Sequence, residues 1–291
     1  CRIEQSRTWN IYVSGLRQLV IRDNVLSQAS LEHGIYIDGT LGVDDVVVER
    51  NHIWGNADMC VQFNSNGHNH ITGAVLRRNR LHDCEAGGVN NIGASKLLAH
   101  HNLIHGEMAG IYNACNGGIK AKCATAGRYH HNTIVVDGSG WATCFESDTG
   151  ADFSELRNNI CVHLGTKGPL VSVVTKGTSD NNLFFGTQRF AWGGQTYSSF
   201  AAYRSGTGQD AHGRFASPLF VDQSNADYHL TAASPAVDLG AALGYAADLD
   251  GKPMPVGAGP DVGAFEHQPA RPQQDAGAHR DLAAVDSAAS A

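Results

Sequence analysis

At 291 residues, with 17% charged side chains, a net charge of −7 and no basic stripe, the chain is a poor candidate for a nucleic-acid binder. No apolar run is long enough to cross a bilayer as a helix. Gly is abundant at 34 and Pro scarce at 8, which suits many short strands joined by tight turns.

The chain opens on Cys1-Arg2-Ile3-Glu4-Gln5-Ser6, which already reads as β-structure and is continued by Ile11, Val13, Leu19 and Ile21. We therefore expect it to enter a repeating fold partway. The repeat is clearest at Leu97-Leu98-Ala99-His100-His101-Asn102-Leu103-Ile104: apolar, x, apolar, polar, polar, Asn, x, apolar. Its asparagine falls at Asn24, Asn51, Asn79, Asn102, Asn132, Asn159 and Asn182, with gaps of 27, 28, 23, 30, 27 and 23 residues. Self-similarity at this period means stacked supersecondary units. Val46, Val48 and Ile53 around Asn51 alternate with period two, so the units are strands. The predicted fold is all-β: a single parallel β-helix with an irregular C-terminal cap. The asparagines are expected at bends needing left-handed geometry, their amides bonded along coils about 4.8 Å apart.

Each coil has a second apolar segment: Ile35 to Ile37, Val61 to Phe63, Val89 and Ile111 with their neighbours. Alternation turns Ile35, Ile37, Val61, Phe63, Val89 and Ile111 inward and Tyr36, Gln62, Asn90 and Tyr112 outward. Seven cysteines allow at most three bridges and contain no CxxC pair, so zinc-ribbon and thioredoxin readings fail. Cys115 and Cys123 bracket a Gly-rich inserted loop, which predicts a loop-closing disulfide in an oxidising compartment.

After Asn182 the register weakens into an aromatic run from Phe184 to Tyr203, and a short helix near 198–203 is expected to cover the stack. The predicted division is coils over 1–215 with a covering segment near 190–205, a cap module over 216–267, and a disordered tail over 268–291. The cap carries Ser217-Pro218-Leu219-Phe220, Asp227-Tyr228-His229-Leu230, Ser234-Pro235-Ala236-Val237-Asp238 and Gly259-Pro260-Asp261-Val262-Gly263-Ala264-Phe265-Glu266 in that order. With Asn159-Ile160-Cys161 and Asn182-Leu183-Phe184, this resembles secreted bacterial right-handed β-helix proteins of the pectin-lyase-like superfamily with a choice-of-anchor C-terminal region. The resemblance spans roughly residues 10–267. It implies an extracellular or surface-attached protein whose tail leads toward an anchor.

The superfamily holds lyases, hydrolases, epimerases and non-catalytic adhesins, so fold does not fix function. Asp44-Asp45 matches part of the polygalacturonase pattern, but its Ser-His-Gly and Arg-x-Lys elements are absent, as are the pectate-lyase Arg-x-Pro-x-x-Arg and the epimerase Tyr-Gly-x-Asp. What remains is a set of columns. Three residues after the ladder asparagine stand Ser27, Trp54, His82, His105 and Val135, and before the second strand stand Glu32, Asp58, Glu85 and Glu107. We expect His82, Glu85, His105, Glu107 and Tyr112 to share one face as catalytic residues, with Tyr36, Asp58, Gln62 and Asn90 binding substrate. Acids beside imidazoles and phenols suit proton abstraction from a uronate, with Ca²⁺ or a cationic side chain neutralising its carboxylate, or two-carboxylate hydrolysis with Glu85 and Glu107.

His100-His101 over His130-His131 reads as a variable polar outer face rather than a metal site, because Arg77-Arg78 and Glu49-Arg50 precede it in the column. His68-Asn69-His70 lies in a Gly/Asn loop. Asp248-Leu249-Asp250-Gly251 reads as a turn, lacking a calcium loop's later carboxylate. The expected function is recognition, with or without cleavage, of an acidic polysaccharide or cell-surface glycan by an exported monomer. The alternative is a non-catalytic surface or adhesion module.

Overall fold

The computed structural model describes residues 1–66, 71–107, 109–115, 123–174 and 177–269; the side chain of Glu107, the loop at His68–His70 and the tail from 270 lie outside the described residues. Three long parallel sheets run along the stack. Sheet I lies before the Asn turn and contains Val20–Arg22, Val47–Glu49, Val75–Arg77, Leu98–His100, Gly127–His130, Phe153–Arg157 and Thr178–Asp180. Sheet II follows the turn, from Arg2–Glu4 and Val25–Ser27 through His52–Trp54, Arg80–His82, Leu103–Glu107, Thr133–Val136, Ile160–His163 and Leu183–Gly186 to Arg214–Phe215. Sheet III follows the next bend and includes Ile11–Ser14, Ile35–Asp38, Met59–Asn64, Gly87–Ile92, Ala109–Ala114, Thr143–Ser147, Val171–Val173 and Phe190–Trp192. Equivalent residues of successive coils pair in parallel register, which makes this a parallel β-helix.

The asparagine column is a hydrogen-bond ladder. Asn51 Oδ1 accepts from both the backbone N–H (3.1 Å) and the side-chain amide (2.9 Å) of Asn24. The same pair of bonds joins Asn51 to Asn79, Asn79 to Asn102, and onward through Asn132 and Asn159 to Asn182. The second amide hydrogen caps a carbonyl of an earlier coil, as Asn102 does for Leu76. The left-handed residue, however, is the one before the asparagine. Asp23, Arg50, Arg78, His101, His131, Asn158 and Asn181 have φ between 49° and 59°. That residue makes the bend, and the asparagine's side chain, turned inward, satisfies the buried amides.

The ladder ends on Asp210, whose Oδ1 accepts from the Asn182 amide at 2.8 Å. A further asparagine would need another acceptor for its own amide, whereas a carboxylate only accepts. Ser179 and Tyr203 hydroxyls donate to the other oxygen, and burial pushes the acid up to about 6. Tyr203 belongs to the helix Phe200–Thr207, capped by Ser199 and by Gly208 at φ 71°, which buries Phe200 and Tyr203 against the stack.

Inside, Leu26, Ile53, Leu81, Ile104 and Ile134 from sheet II meet Val48, Leu76 and Tyr129 from sheet I and Ile35, Ile37, Val61, Phe63, Val89 and Ile111 from sheet III, all fully or almost fully buried. Disulfides join Cys60–Cys84, Cys115–Cys123 and Cys144–Cys161, leaving Cys1 free and exposed.

A second core lies outside the solenoid. Leu103, Val135, Ile160, Val162 and Leu183, on the outer face of sheet II, pack against Tyr228, Leu230, Ala236, Leu249, Val262, Ala264 and Phe265. The C-terminal segment thus lies along sheet II. An antiparallel pair, Phe220–Asp222 with Asp227–Leu230, joined by a 3-10 turn at Gln223–Asn225, is its regular piece among the described residues. No helix of the described residues is long and apolar enough to cross a membrane.

Candidate functional site

The outer face of sheet III carries one continuous column. Tyr12, Tyr36, Gln62, Asn90, Tyr112, Glu146 and Ser172 are register partners in order. Strands about 4.8 Å apart spread these residues over roughly 29 Å. One end is aromatic: Trp9 and Tyr36 stack with centroids 5.7 Å apart, Tyr12 and Tyr36 stack at 5.7 Å, and His33 lies over Tyr36 at 5.3 Å. The Tyr12 hydroxyl donates to Asp38, and Asn66 links Asp38 to the Tyr36 hydroxyl. The middle is a polar floor. Asn90 donates to Gln62 Oε1 at 3.2 Å, while Asn90 Oδ1 and Trp9 Nε1 are buried with no partner among the described residues.

The other end is acidic and leads into a cavity. Tyr112 donates to Asp148 Oδ1 at 2.7 Å. Burial raises the Glu146 carboxyl above its ordinary value, with Trp141 hydrogen-bonded to it and Asp148 adding negative charge. Trp141 is 58% exposed and, with Ser172, Arg189, Thr196 and Tyr197, lines a cavity of about 460 Å³. Glu146, Asp148 and Trp141 were missed in the sequence. The signal was present: Cys144-Phe145-Glu146 repeats Gly110-Ile111-Tyr112, and the two segments pair.

Beside the aromatic end, Glu32, His33 and Asp58 form the described residues' one group with metal-ligand spacing, their donor atoms within 4.8 Å of one another. The tautomer argues against a resident metal. The Met59 N–H donates to His33 Nδ1 at 3.2 Å, so a neutral ring carries its proton on Nε2, 3.3 Å from Glu32. Both ring nitrogens are then occupied. Burial lowers the His33 pKa, against the opposing pull of Asp58 and Glu32.

The expected common catalytic face is divided between two sheets. His82 and His105 do stack, 4.8 Å apart, but on sheet II, whereas Tyr112 is on sheet III. His82 also meets His52, with Nε2 atoms 2.8 Å apart, and bonds Asp83. His105 lies against Tyr228 of the C-terminal segment, and burial lowers its pKa to about 4. Glu85 is exposed in the bend between the sheets, and Glu107 has no described side chain. The bend turns the chain from one face to the next, which equal sequence offsets do not reveal. Tyr36, Gln62, Asn90 and Tyr112 share sheet III, and Asp58 stands at its edge beside His33.

The second histidine cluster is also not a solvent face. His100, His101, His130 and His131 are at most 5% exposed because the C-terminal segment covers them. His101 Nε2 meets Met254 Sδ at 3.1 Å, His130 Nδ1 the Tyr245 hydroxyl at 2.9 Å, and His131 Nδ1 the Asp261 carbonyl at 3.0 Å. Burial lowers His100 and His131 to about 3 and His101 well below its ordinary value. They are neutral packing groups.

These features define a right-handed parallel β-helix. Residues 1–126 match the family described as a right handed beta helix region. The chain is similar to PfbA, a surface adhesin of Streptococcus pneumoniae, at 10% identity and TM-score 0.53, covering 65% of this chain and 54% of the adhesin. It is also similar to pectate lyase Pel9A, at 13% identity and TM-score 0.52, covering 92% of this chain and 70% of that one. The chain thus spans about half the length of the adhesin. At such identities the likeness is one of fold. No curated protein sequence matches the chain.

Proposed function

We propose that this protein binds a polysaccharide along the outer face of sheet III. The observation that carries the reading is the single register column from the Trp9–Tyr12–Tyr36 stack, over the Gln62–Asn90 amides, to Glu146 and the Trp141 cavity. Aromatic faces suit sugar C–H surfaces, and the Gln62 and Asn90 amides lie beside them on the same face. Asp38, Glu146 and Asp148 make this face acidic, so an acidic polysaccharide needs Ca²⁺ shared between its own carboxylates and those of the protein. Three disulfides and the adhesin and lyase neighbours support an exported, surface-facing protein.

Affinity electrophoresis against neutral and uronate polysaccharides, with Ca²⁺ or EDTA, tests the reading. Retardation by one class, lost in Trp9→Ala and Tyr36→Ala at unchanged melting temperature, is expected. Retention of full binding by both variants contradicts it. EDTA-sensitive binding identifies the acidic class.

A second reading, hydrolysis, is favoured by the raised carboxyl of Glu146 two residues from Asp148. A carboxyl of raised pKa near a second carboxylate is the kind of pairing that glycoside hydrolysis uses. Reducing-end release that disappears in Glu146→Gln while binding persists supports cleavage. Binding without release leaves the adhesion role.

A further inference from the structure

On the opposite corner of the solenoid, three arginines converge. Arg50 and Arg78 are the left-handed residues before Asn51 and Asn79, so they stack on neighbouring coils, and Arg80 is the register partner of His52. With Leu249 of the C-terminal segment they line a groove of about 310 Å³. Two have counterions. Arg50 makes two 2.8 Å bonds to Asp23, and Arg80 Nη2 lies 2.7 Å from Asp250 Oδ1.

Arg78 has none among the described residues. Its Nη2 donates to the Ala247 carbonyl at 2.8 Å, and its Nε is buried with no partner. The neighbouring acids are engaged elsewhere. Glu49 accepts from Arg77 Nε at 2.7 Å and Arg50 Nη1 at 3.2 Å, and Asp248 accepts from the backbone N–H groups of Lys252 and Glu266. Burial, and after it the charge of Arg77, lower the Arg78 pKa from its ordinary value against the weaker opposing pull of Asp248 and Glu49. A half-buried guanidinium without a counterion is costly, and the cost is relieved by an anion in the groove that Arg78 lines.

We propose that this groove binds a tetrahedral oxyanion, sulfate or phosphate, on Arg78 with Arg50 and Arg80 flanking it. The planar guanidinium fork matches such oxygens bidentately. Because Arg78 already holds Ala247 and Arg80 holds Asp250, the anion fastens the C-terminal segment to the solenoid. The anion is either free or an ester on a glycan. The site lies away from sheet III and does not depend on glycan binding there.

Calorimetric titration of the whole chain with sodium sulfate and with sodium phosphate, against sodium chloride at matched ionic strength, tests it. A saturable heat and a melting temperature raised by a few degrees at millimolar anion are expected. Arg78→Gln should lose both responses, and the charge-matched control Arg7→Gln should keep them. No saturable heat in the unaltered chain, or an undiminished response in Arg78→Gln, overturns the proposal. The unaltered-chain titration decides even if Arg78→Gln fails to fold. Tighter binding of a sulfated oligosaccharide than of free sulfate, lost on desulfation, identifies the ester as the source. Equal affinity identifies the free anion.

Discussion

Sheets II and III have the same architecture and opposite outer faces. From Leu103 onward the outside of sheet II is largely apolar, and the chain's own C-terminal segment covers it. The outside of sheet III carries tyrosines, amides and acids, and that segment does not pack on it. The inward residues are alike on both sheets, so the difference lies in alternate positions alone. It teaches that in a solenoid the core specifies the fold, while each outer face is free to take a separate role.

Four changes probe this contrast, beginning with one common to both faces. Asn102→Leu should destabilise the protein by about 4 kcal/mol, because it strips partners from the Leu76 carbonyl and from Asn79 and Asn132. Chemical denaturation checks this, and a near-normal midpoint would mean the ladder is dispensable. Leu103→Ala, one residue on and facing outward, should cost about 3 kcal/mol through the cavity it leaves beneath the C-terminal segment.

The covered face should also be acid-labile. His100 and His131 titrate at about 3 and His105 at about 4 when folded, below the ordinary 6.5. The unfolded chain therefore binds more protons below pH 6.5. Their stabilisation is complete above that pH and lost as pH falls toward 3, about 2 kcal/mol for each of His100 and His131 at pH 5. Glu266, raised to about 7 by burial, works in the opposite sense. Its contribution is complete below its unfolded value near 4.5 and is lost as pH rises through 7. The melting temperature should accordingly start to fall below pH 6.5, since three histidines outweigh one carboxyl. In Glu266→Gln the fall between pH 6.5 and 4.5 should be steeper, and an unchanged profile in that variant would remove Glu266 from the account. The smallest effect is on sheet III, where Tyr12→Ala should cost no more than about 1.5 kcal/mol, since the residue is 47% exposed.

The repeat was legible because one buried asparagine per coil must recur wherever its partners recur. The left-handed position was displaced by one residue, since Arg78 and His101 are not residues that advertise positive φ. Asp210 was missed as the ladder's end because a carboxylate replaces the expected amide. The sugar-facing column was legible as far as Tyr112. Beyond it, the loop bracketed by Cys115 and Cys123 interrupts the spacing and hid Glu146. The histidines misled for a different reason. Polarity suggested solvent, whereas neutral imidazoles here fill an interface formed by residues over 100 positions away.

The most direct test of the contrast is backbone hydrogen exchange of the full chain with and without a saturating polysaccharide selected by affinity electrophoresis. The account predicts added protection at Ile35–Asp38, Met59–Asn64, Gly87–Ile92 and Thr143–Ser147, with Ile160–His163 and Asp227–Leu230 unchanged. Protection confined to sheet II and the C-terminal segment would contradict it.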